Sequence, residues 1–197
     1  MPFFSDSSLG GFQPKRKFRF TVSFKNLGQD LVYMVKDIKK PSYTLSDTTH
    51  QFMNHQYKFP GILTWDDVEC SFIDAVEPNV GSKFYKTLLN SGYVAPTGFA
   101  NALQGITKVQ SVGTIGDVVI RQLDGGAVVG GEVDPANITG APVTPNVIEE
   151  WTLKNTFITK TDFGDLSYDG GEELVTVSLT LKYDYALYSD TVVPYNG

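Results

Sequence analysis

From Glu172 to Tyr185 the chain alternates almost without error. Glu173, Val175, Val177, Leu179, Leu181, Tyr183 and Tyr185 point one way, and Leu174, Thr176, Ser178, Thr180, Lys182 and Asp184 the other. A period of two is the signature of a half-buried β-strand. At roughly 3.3 Å per residue this run spans about 40 Å or more, twice the usual strand, so it is expected to serve something larger than a compact monomeric core. The run from Lys17 to Asn26 repeats the pattern, with Phe18, Phe20, Val22 and Phe24 inward. Two amphipathic ribbons at opposite ends of one chain predict a sheet that closes on itself or extends through neighbours.

A chain of 197 residues, 41% hydrophobic and 13% aromatic, can bury one sizeable core, and its aromatics fall inside strand-like runs. The reading is a single, mostly β domain. A formal charge of -6 argues against a surface that grips nucleic acid, which needs clustered Lys and Arg, but suits an acidic wall past which DNA slides. Cys70 is the only cysteine, which excludes an intrachain disulfide and a zinc site of the Cys-pair type, and it sits on an apolar strand face. No apolar stretch approaches the ~20 residues of a membrane span, and no charged region followed by an apolar core opens the chain. The expectation is a soluble protein that matures in a reducing cytoplasm, without membrane insertion.

Residues 1–16 hold Ser, Gly and Pro with scattered Phe and read as an arm that orders on a partner. A second strand is expected over Leu31–Lys40, joined to the first by the turn Asn26–Asp30 as a hairpin and stopped by Pro41. From Ser42 to Phe59 a polar excursion carries Tyr43, Phe52, Met53, Tyr57 and Phe59, and exposed aromatics in such an excursion mark an interaction element. Thr64–Val76 is expected as a third long strand, with Val68, Cys70 and Phe72 on one face and Asp67, Glu69 and Ser71 on the other. Pro78–Asn90 is the one helix that the spacing predicts, with Val80, Phe84 and Leu88 at i, i+4, i+8 and Gly92 as its stop. A strand is expected over Asp117–Asp124, and another over Val147–Thr159 with Trp151, Leu153 and Phe157 inward. The Gly/Pro-rich residues 125–146 read as a surface insertion.

Nothing in this order assembles a catalytic site, and no cofactor or metal is expected. His50 and His55 share neither a helix face nor a strand face and read as solvated. Asp66, Asp67 and Glu69 alternate along a strand rather than pairing as acid and base, and Glu149 and Glu150 take the same bland reading. The glycines between Asp124 and Glu132 lack the Lys-Ser/Thr pair of a phosphate loop. Asn137-Ile-Thr139 matches a glycosylation acceptor, a match that chance supplies easily.

The block Gln51-Phe52-Met53-Asn54-His55-Gln56-Tyr57-Lys58-Phe59-Pro60-Gly61, followed by Thr64-Trp65-Asp66-Asp67-Val68, resembles the tail tube protein of contractile-tailed bacteriophages. The closing segment, Trp151 to Phe157, Phe163-Gly-Asp165 and the Glu-led strand ending Tyr183-Asp184-Tyr185, resembles the same family's C-terminal end. The likeness covers residues 17–92 and 147–188, and residues 94–146 depart from it. It implies a two-sheet β-sandwich or barrel with one flanking α-helix, as a single domain over 17–188 between the arm and a C-terminal tail of 189–197. It further implies that inner sheets join around a hexameric ring, a homo-hexamer, and that rings stack helically into a conduit for genome delivery. The implied partners are the tail sheath, baseplate and tube-terminator proteins, with DNA passing through the lumen unbound. The implied place is the virion tail, assembled in the bacterial host cytoplasm. Contacts between rings or subunits are expected at Pro41, Tyr43, Phe52, Met53, Asn54, Tyr57 and Phe59. The lumen or polar sheet face is expected at Asp67, Glu69, Ser71, Thr176, Ser178, Thr180, Lys182 and Asp184. An Hcp-like ring protein of type VI secretion or an extracellular contractile injection system shares these features, as does a tube-initiating baseplate protein. A lectin-like binding module is the remaining class.

Overall fold

The computed structural model describes residues 14–97, 105–124, 145–169, 172–190 and 193–194, so the arm before residue 14 and the insertion expected at 125–146, up to residue 144, lie outside the described residues. The strands are β1 (Phe20–Phe24), β2 (Val35–Ile38), β3 (Tyr43–Phe52), β4 (His55–Trp65), β5 (Val68–Ile73), β6 (Val118–Leu123), β7 (Asn146–Lys154), β8 (Phe157–Asp162), β9 (Thr176–Lys182), β10 (Tyr185–Ser189) and β11 (Val193–Pro194). Helix α1 is Val80–Asn90 and α2 is Lys108–Ile115. All strand pairs are antiparallel. One sheet runs β1-β6-β7-β10, with β11 beside β7, a second runs β2-β5-β9-β8, and β3-β4 stands apart as a third.

Two sheets face one another because each offers one apolar side. Val22, Phe24, Val118, Ile120 and Leu153 from the first meet Val68, Cys70, Phe72, Val177, Leu179 and Leu181 from the second, all at 4% exposure or less. Phe72 is the hinge of this core. Its ring lies 5.8 Å from Phe24 across the sandwich and 5.1 Å from Phe84 of α1. Burial pushes the Cys70 thiol far above its ordinary range, as expected of an inert packed sulfur.

The long ribbon expected over 172–185 exists, but it is folded at a corner. β9 stops at Lys182, and after Tyr183 and Asp184 the chain continues as β10 in the other sheet. The strand expected over Val147–Thr159 breaks at the matching level, between Lys154 and Phe157, where Asn155 takes φ 56. The two ribbons pair with each other on both sides of the bend: Phe157 opposite Lys182, Lys154 opposite Tyr185. One side of the sandwich is thereby closed by continuous chain. The corner shifts the phase of both ribbons by one residue: Ile158 and Ala186 pack on the core, whereas Phe157 and Tyr185, expected inward, stand opposite Lys182 and Lys154 on the outer faces. Each outward ring is followed directly by an apolar residue that takes the core position, so the sequence pattern hides the shift and reads as one straight strand.

The other side is open. β2 does not form a hairpin with β1, as expected from the turn at Asn26–Asp30. Instead Gln29–Met34 winds as a 3-10 helix that buries Leu31, and β2 crosses to pair with β5. β1 pairs only with β6, so the outer edges of β1 and β2 face each other unpaired among the described residues. Phe18, expected inward, precedes β1 and is 74% exposed under the Arg19 guanidinium. The Thr64–Val76 run is likewise divided, because Asp66 is taken up in side-chain bonds before β5 begins.

Helix α1 forms as its spacing predicts. Asn79 caps it by accepting from the Ser82 N–H at 2.5 Å, and Asp74 accepts from Val80 N at 3.0 Å. Its buried stripe is Val80, Phe84 and Thr87, while Leu88 stays 38% exposed. Helix α2 lies where the apolar periodicity gave no helix. It is capped by Thr107, buries Ile115 and packs on α1 and β8. The pattern was weak because two small residues, Gly113 and Thr114, sit in its last turn.

Candidate assembly surfaces

The β3–β4 hairpin holds all but one of the side chains expected at subunit contacts, and Pro41 sits at its base. It is a two-stranded ribbon in which every residue from Tyr43 to Thr64 is exposed. Its turn is Met53–Asn54, with Met53 at φ 52. Such a ribbon with no covering layer is at best marginally stable in water, so it needs an anchor at its root and a partner along its length.

The anchor is visible. Ser42 Oγ donates to Asp66 Oδ2 at 2.8 Å and Asp66 N to Ser42 O at 2.9 Å, which pins the two legs together. Tyr43 meets Trp65 edge-on at 5.6 Å, and Trp65 meets Tyr183, at the sandwich corner, at 5.9 Å. Burial, with Asp66 and Asp67 nearby, pushes the Tyr183 hydroxyl up to about 12. On the opposite flank Lys40 Nζ reaches Glu149 Oε1 at 2.6 Å, while Lys15 Nζ holds Oε2 at 2.5 Å and the Trp151 indole N–H donates at 2.8 Å. Glu149 is therefore not a solvated carboxylate, as its sequence context implied: its side chain is 8% exposed. Burial opposes its charge, but the two ammonium groups and the indole outweigh that and hold its carboxyl down at about 2. No local pattern marks Lys15, Lys40 and Glu149 as a set, since both lysines lie more than 100 residues from Glu149 in the chain.

A bulge between Leu45 and Asp47 divides the hairpin in two. Ser46 Oγ accepts from Ile62 N there, and the bulge requires glycine at 61, because a Cβ would collide with Ser46 Oγ. Below the bulge, Tyr43 opposite Trp65 and Leu45 opposite Leu63 share one face, the one turned to Tyr183. Above it the pairs Thr48–Phe59, His50–Tyr57 and Phe52–His55 share the other face, and Thr49–Lys58 and Gln51–Gln56 are polar. By the alternation of β3, the apolar side changes over at the bulge. The root half greets its own body, and the outer half presents Phe52, Tyr57 and Phe59, each more than half exposed, away from it. Met53, 77% exposed, and Asn54 form the tip. His50 and His55 are exposed, in keeping with the solvated reading, but they stand on this common face opposite Tyr57 and Phe52, where no shared strand face was expected.

The residues expected on a polar sheet face gather on the outside of β2-β5-β9-β8. Glu69 stands opposite Thr180, and Ser71 opposite Ser178. Asp37 continues the second row on β2, and Asp162 on β8; Lys160 continues the first. Thr176 lies on the same side of β9 by its register with Ile73. Lys182 approaches Asp67 at 3.7 Å. Asp184, past the end of β9, accepts from Lys108 Nζ at 2.6 and 2.9 Å and from Asn155 at 2.8 Å, which holds its carboxyl below the usual range and ties α2 to the corner. The face is built mainly of short hydroxyls and carboxylates with two ammoniums, and Phe157, opposite Lys182 at its corner end, brings an aromatic ring to its rows.

Among the described residues no group of three or more His, Cys, Asp or Glu side chains is placed to hold a metal ion, and no helix is long and apolar enough to cross a membrane. No protein-family model and no curated protein sequence matches the chain. Solved structures do. A chain of the anti-feeding prophage cap, described as a tube terminating cap, is 16% identical and aligns over 97% of this chain and 100% of its own length with a TM-score of 0.59. A chain of the sheath-tube complex of the PVC extracellular contractile injection system in its extended state is 13% identical over 95% of this chain and 99% of that one, at 0.57. A chain of the anti-feeding prophage baseplate, solved with 6-fold symmetry, is 16% identical over 90% and 97%, at 0.56. The chain has the fold of tube, cap and baseplate chains of contractile injection systems along nearly its whole length.

Proposed function

We propose that this chain is the structural subunit of the inner tube of a contractile-tailed phage, forming hexameric rings that stack through the β3–β4 hairpin into a hollow conduit for DNA. The observation that carries the reading is the outer half of that hairpin, a ribbon with one aromatic face and no body beneath it. Large obligate interfaces are anchored by aromatic residues and Met, the side chains gathered at Phe52, Met53, Tyr57 and Phe59. Pro41 and Tyr43 set the angle at which the ribbon leaves the body, and Asn54 belongs to its turn.

In this reading the polar outer face of β2-β5-β9-β8 lines the bore. Its carboxylates repel phosphate and its rows hold few aromatic rings, Phe157 standing at one end, so DNA passes without being held. Sheath, baseplate and terminator proteins complete the tail, assembled in the host cytoplasm. The likeness to injection-system chains favours a second reading, a tube or end-ring subunit of a phage-derived injection machine, which differs in what passes through the lumen. Replacing residues 47–60 by a short Gly-containing turn tests both. The truncated chain is expected to fold and to form rings at most, and long tubes from it in negative-stain micrographs would overturn the role of the hairpin. Tubes from the unaltered protein are expected, and single rings alone would favour an end-ring subunit.

A further inference from the structure

The open side of the sandwich and its closed side carry opposite charge. Between the unpaired edges of β1 and β2 lies a groove of about 770 Å³ with an apolar floor of Phe20, Val32, Val35 and Ile38. Lys17 and Lys36 stand at its rim, and Asp37 is the one carboxylate among its lining residues. Arg16, Arg19 and Lys39 adjoin them in the chain. Among the described residues none of these five cations has a carboxylate within ion-pair distance. In a chain of net charge -6 such a cluster is concentrated against the average.

The matching surface leaves the opposite edge of the second sheet, where β8 turns back to β9. From Asp162 to Leu174 the chain has no Lys or Arg but carries Asp162, Asp165, Asp169, Glu172 and Glu173. All five are exposed, and none is ion-paired among the described residues. Between them Leu166, Tyr168 and Leu174 are 89%, 110% and 68% exposed. Apolar side chains interleaved with carboxylates are what a groove with an apolar floor and an ammonium rim accommodates.

We infer that the groove between β1 and β2 of one copy receives the acidic β8–β9 connection of the next copy. β2 and β8 are the two outer strands of the four-stranded sheet, so donor and acceptor lie on opposite sides of one subunit. A contact between unlike patches is head-to-tail, and repetition of it closes a ring when the rotation permits. The inference deepens the tube reading by assigning the lateral contact, and it separates two interfaces by their physics. The lateral contact is charge-steered and weakens with salt, whereas the aromatic hairpin face is not screened.

Charge reversal at exposed positions tests this in the full chain. Arg16→Glu, Lys17→Glu, Lys36→Glu and Lys39→Glu together make groove and connection both acidic, and Asp165→Lys, Asp169→Lys, Glu172→Lys and Glu173→Lys together make both basic. Each fourfold variant alone is expected to need a roughly tenfold or higher concentration to assemble, read by light scattering and sedimentation, because like charges meet at every contact. An equimolar mixture of the two is expected to assemble like the unaltered protein, since each groove then meets an opposite charge, and the chain carrying all eight changes is expected to assemble alone. Raising salt from about 0.1 M to about 1 M, which shortens the Debye length from about 10 Å to about 3 Å, will slow ring formation. If both fourfold variants assemble as the unaltered protein does, the contact is wrong and the tube reading stands. If only the groove variant fails and the mixture does not rescue it, the groove takes another occupant, such as the chain's own residues 1–13, and the inference falls. An unaltered protein that stays monomeric throughout removes the tube reading and this contact together.

Discussion

The sandwich and the β3–β4 hairpin are written in the same alternating code, yet they stand in opposite relation to water. In the sandwich, every second residue of β5 and β9, from Val68 to Phe72 and from Val177 to Leu181, is at most 2% exposed. In the outer hairpin Phe52, Tyr57 and Phe59 alternate just as regularly and each is more than half exposed. Alternation therefore specifies that a face is to be covered and leaves open what covers it. The sandwich supplies its own second layer. The hairpin has none, and its bulge turns the uncovered face away from the body, which is the physical reason to look for its cover on another molecule.

That contrast fixes the order in which substitutions will hurt the isolated subunit. Phe72→Ala, which empties the ring between Phe24 and Phe84, is expected to cost about 3–5 kcal/mol of unfolding free energy, measured by urea denaturation. A loss as small as that of a hairpin residue would contradict the picture of one shared core. Next comes the Glu149 clamp between Lys15 and Lys40. Its folded carboxyl sits at about 2 against an ordinary 4.5, so its contribution is fully present above about 4.5 and is lost as pH falls toward 2. On the order of 1–3 kcal/mol is at stake, moderated because both lysines are about half exposed. Glu149→Gln is expected to remove most of the acid sensitivity in that window, read from melting curves at a series of pH values, and an unchanged profile would show that the clamp contributes little.

Smaller again is the root of the hairpin. Asp66→Ala removes the Ser42 bond and is expected to cost about 1 kcal/mol, while exposing residues 43–65 to limited proteolysis with the sandwich uncut. Cleavage within the core strands at the same rate would mean that the hairpin and body are one cooperative unit. The smallest effect is expected for Phe52→Ser, Tyr57→Ser and Phe59→Ser together, within about 0.5 kcal/mol of the unaltered monomer, because these rings touch little in the free subunit. The same triple change is expected to abolish stacking into tubes, and a large destabilisation would show that the face is covered within the subunit after all.

The inward sets of β5 and β9, the α1 stripe through Val80 and Phe84, and the aromatic excursion at 43–59 were legible from periodicity and composition alone, because each depends on residues close in sequence. The corner at Asn155 and Tyr183, the pairing of β2 with β5 and the burial of Glu149 were not. The one-residue change of phase at the bend is hidden where Phe157 is followed by Ile158 and Tyr185 by Ala186, and a carboxylate held by Lys15 and Lys40 has partners that only folding brings near. The sequence by itself determined that this chain is a β-sandwich with a surplus of apolar edge and face. Tertiary structure alone decided which side closes, which stays open, and that acidic and basic segments far apart in the chain emerge on opposite sides of one subunit. Local pattern records how each residue divides between water and oil, whereas the direction in which a completed surface points is set by contacts between distant segments.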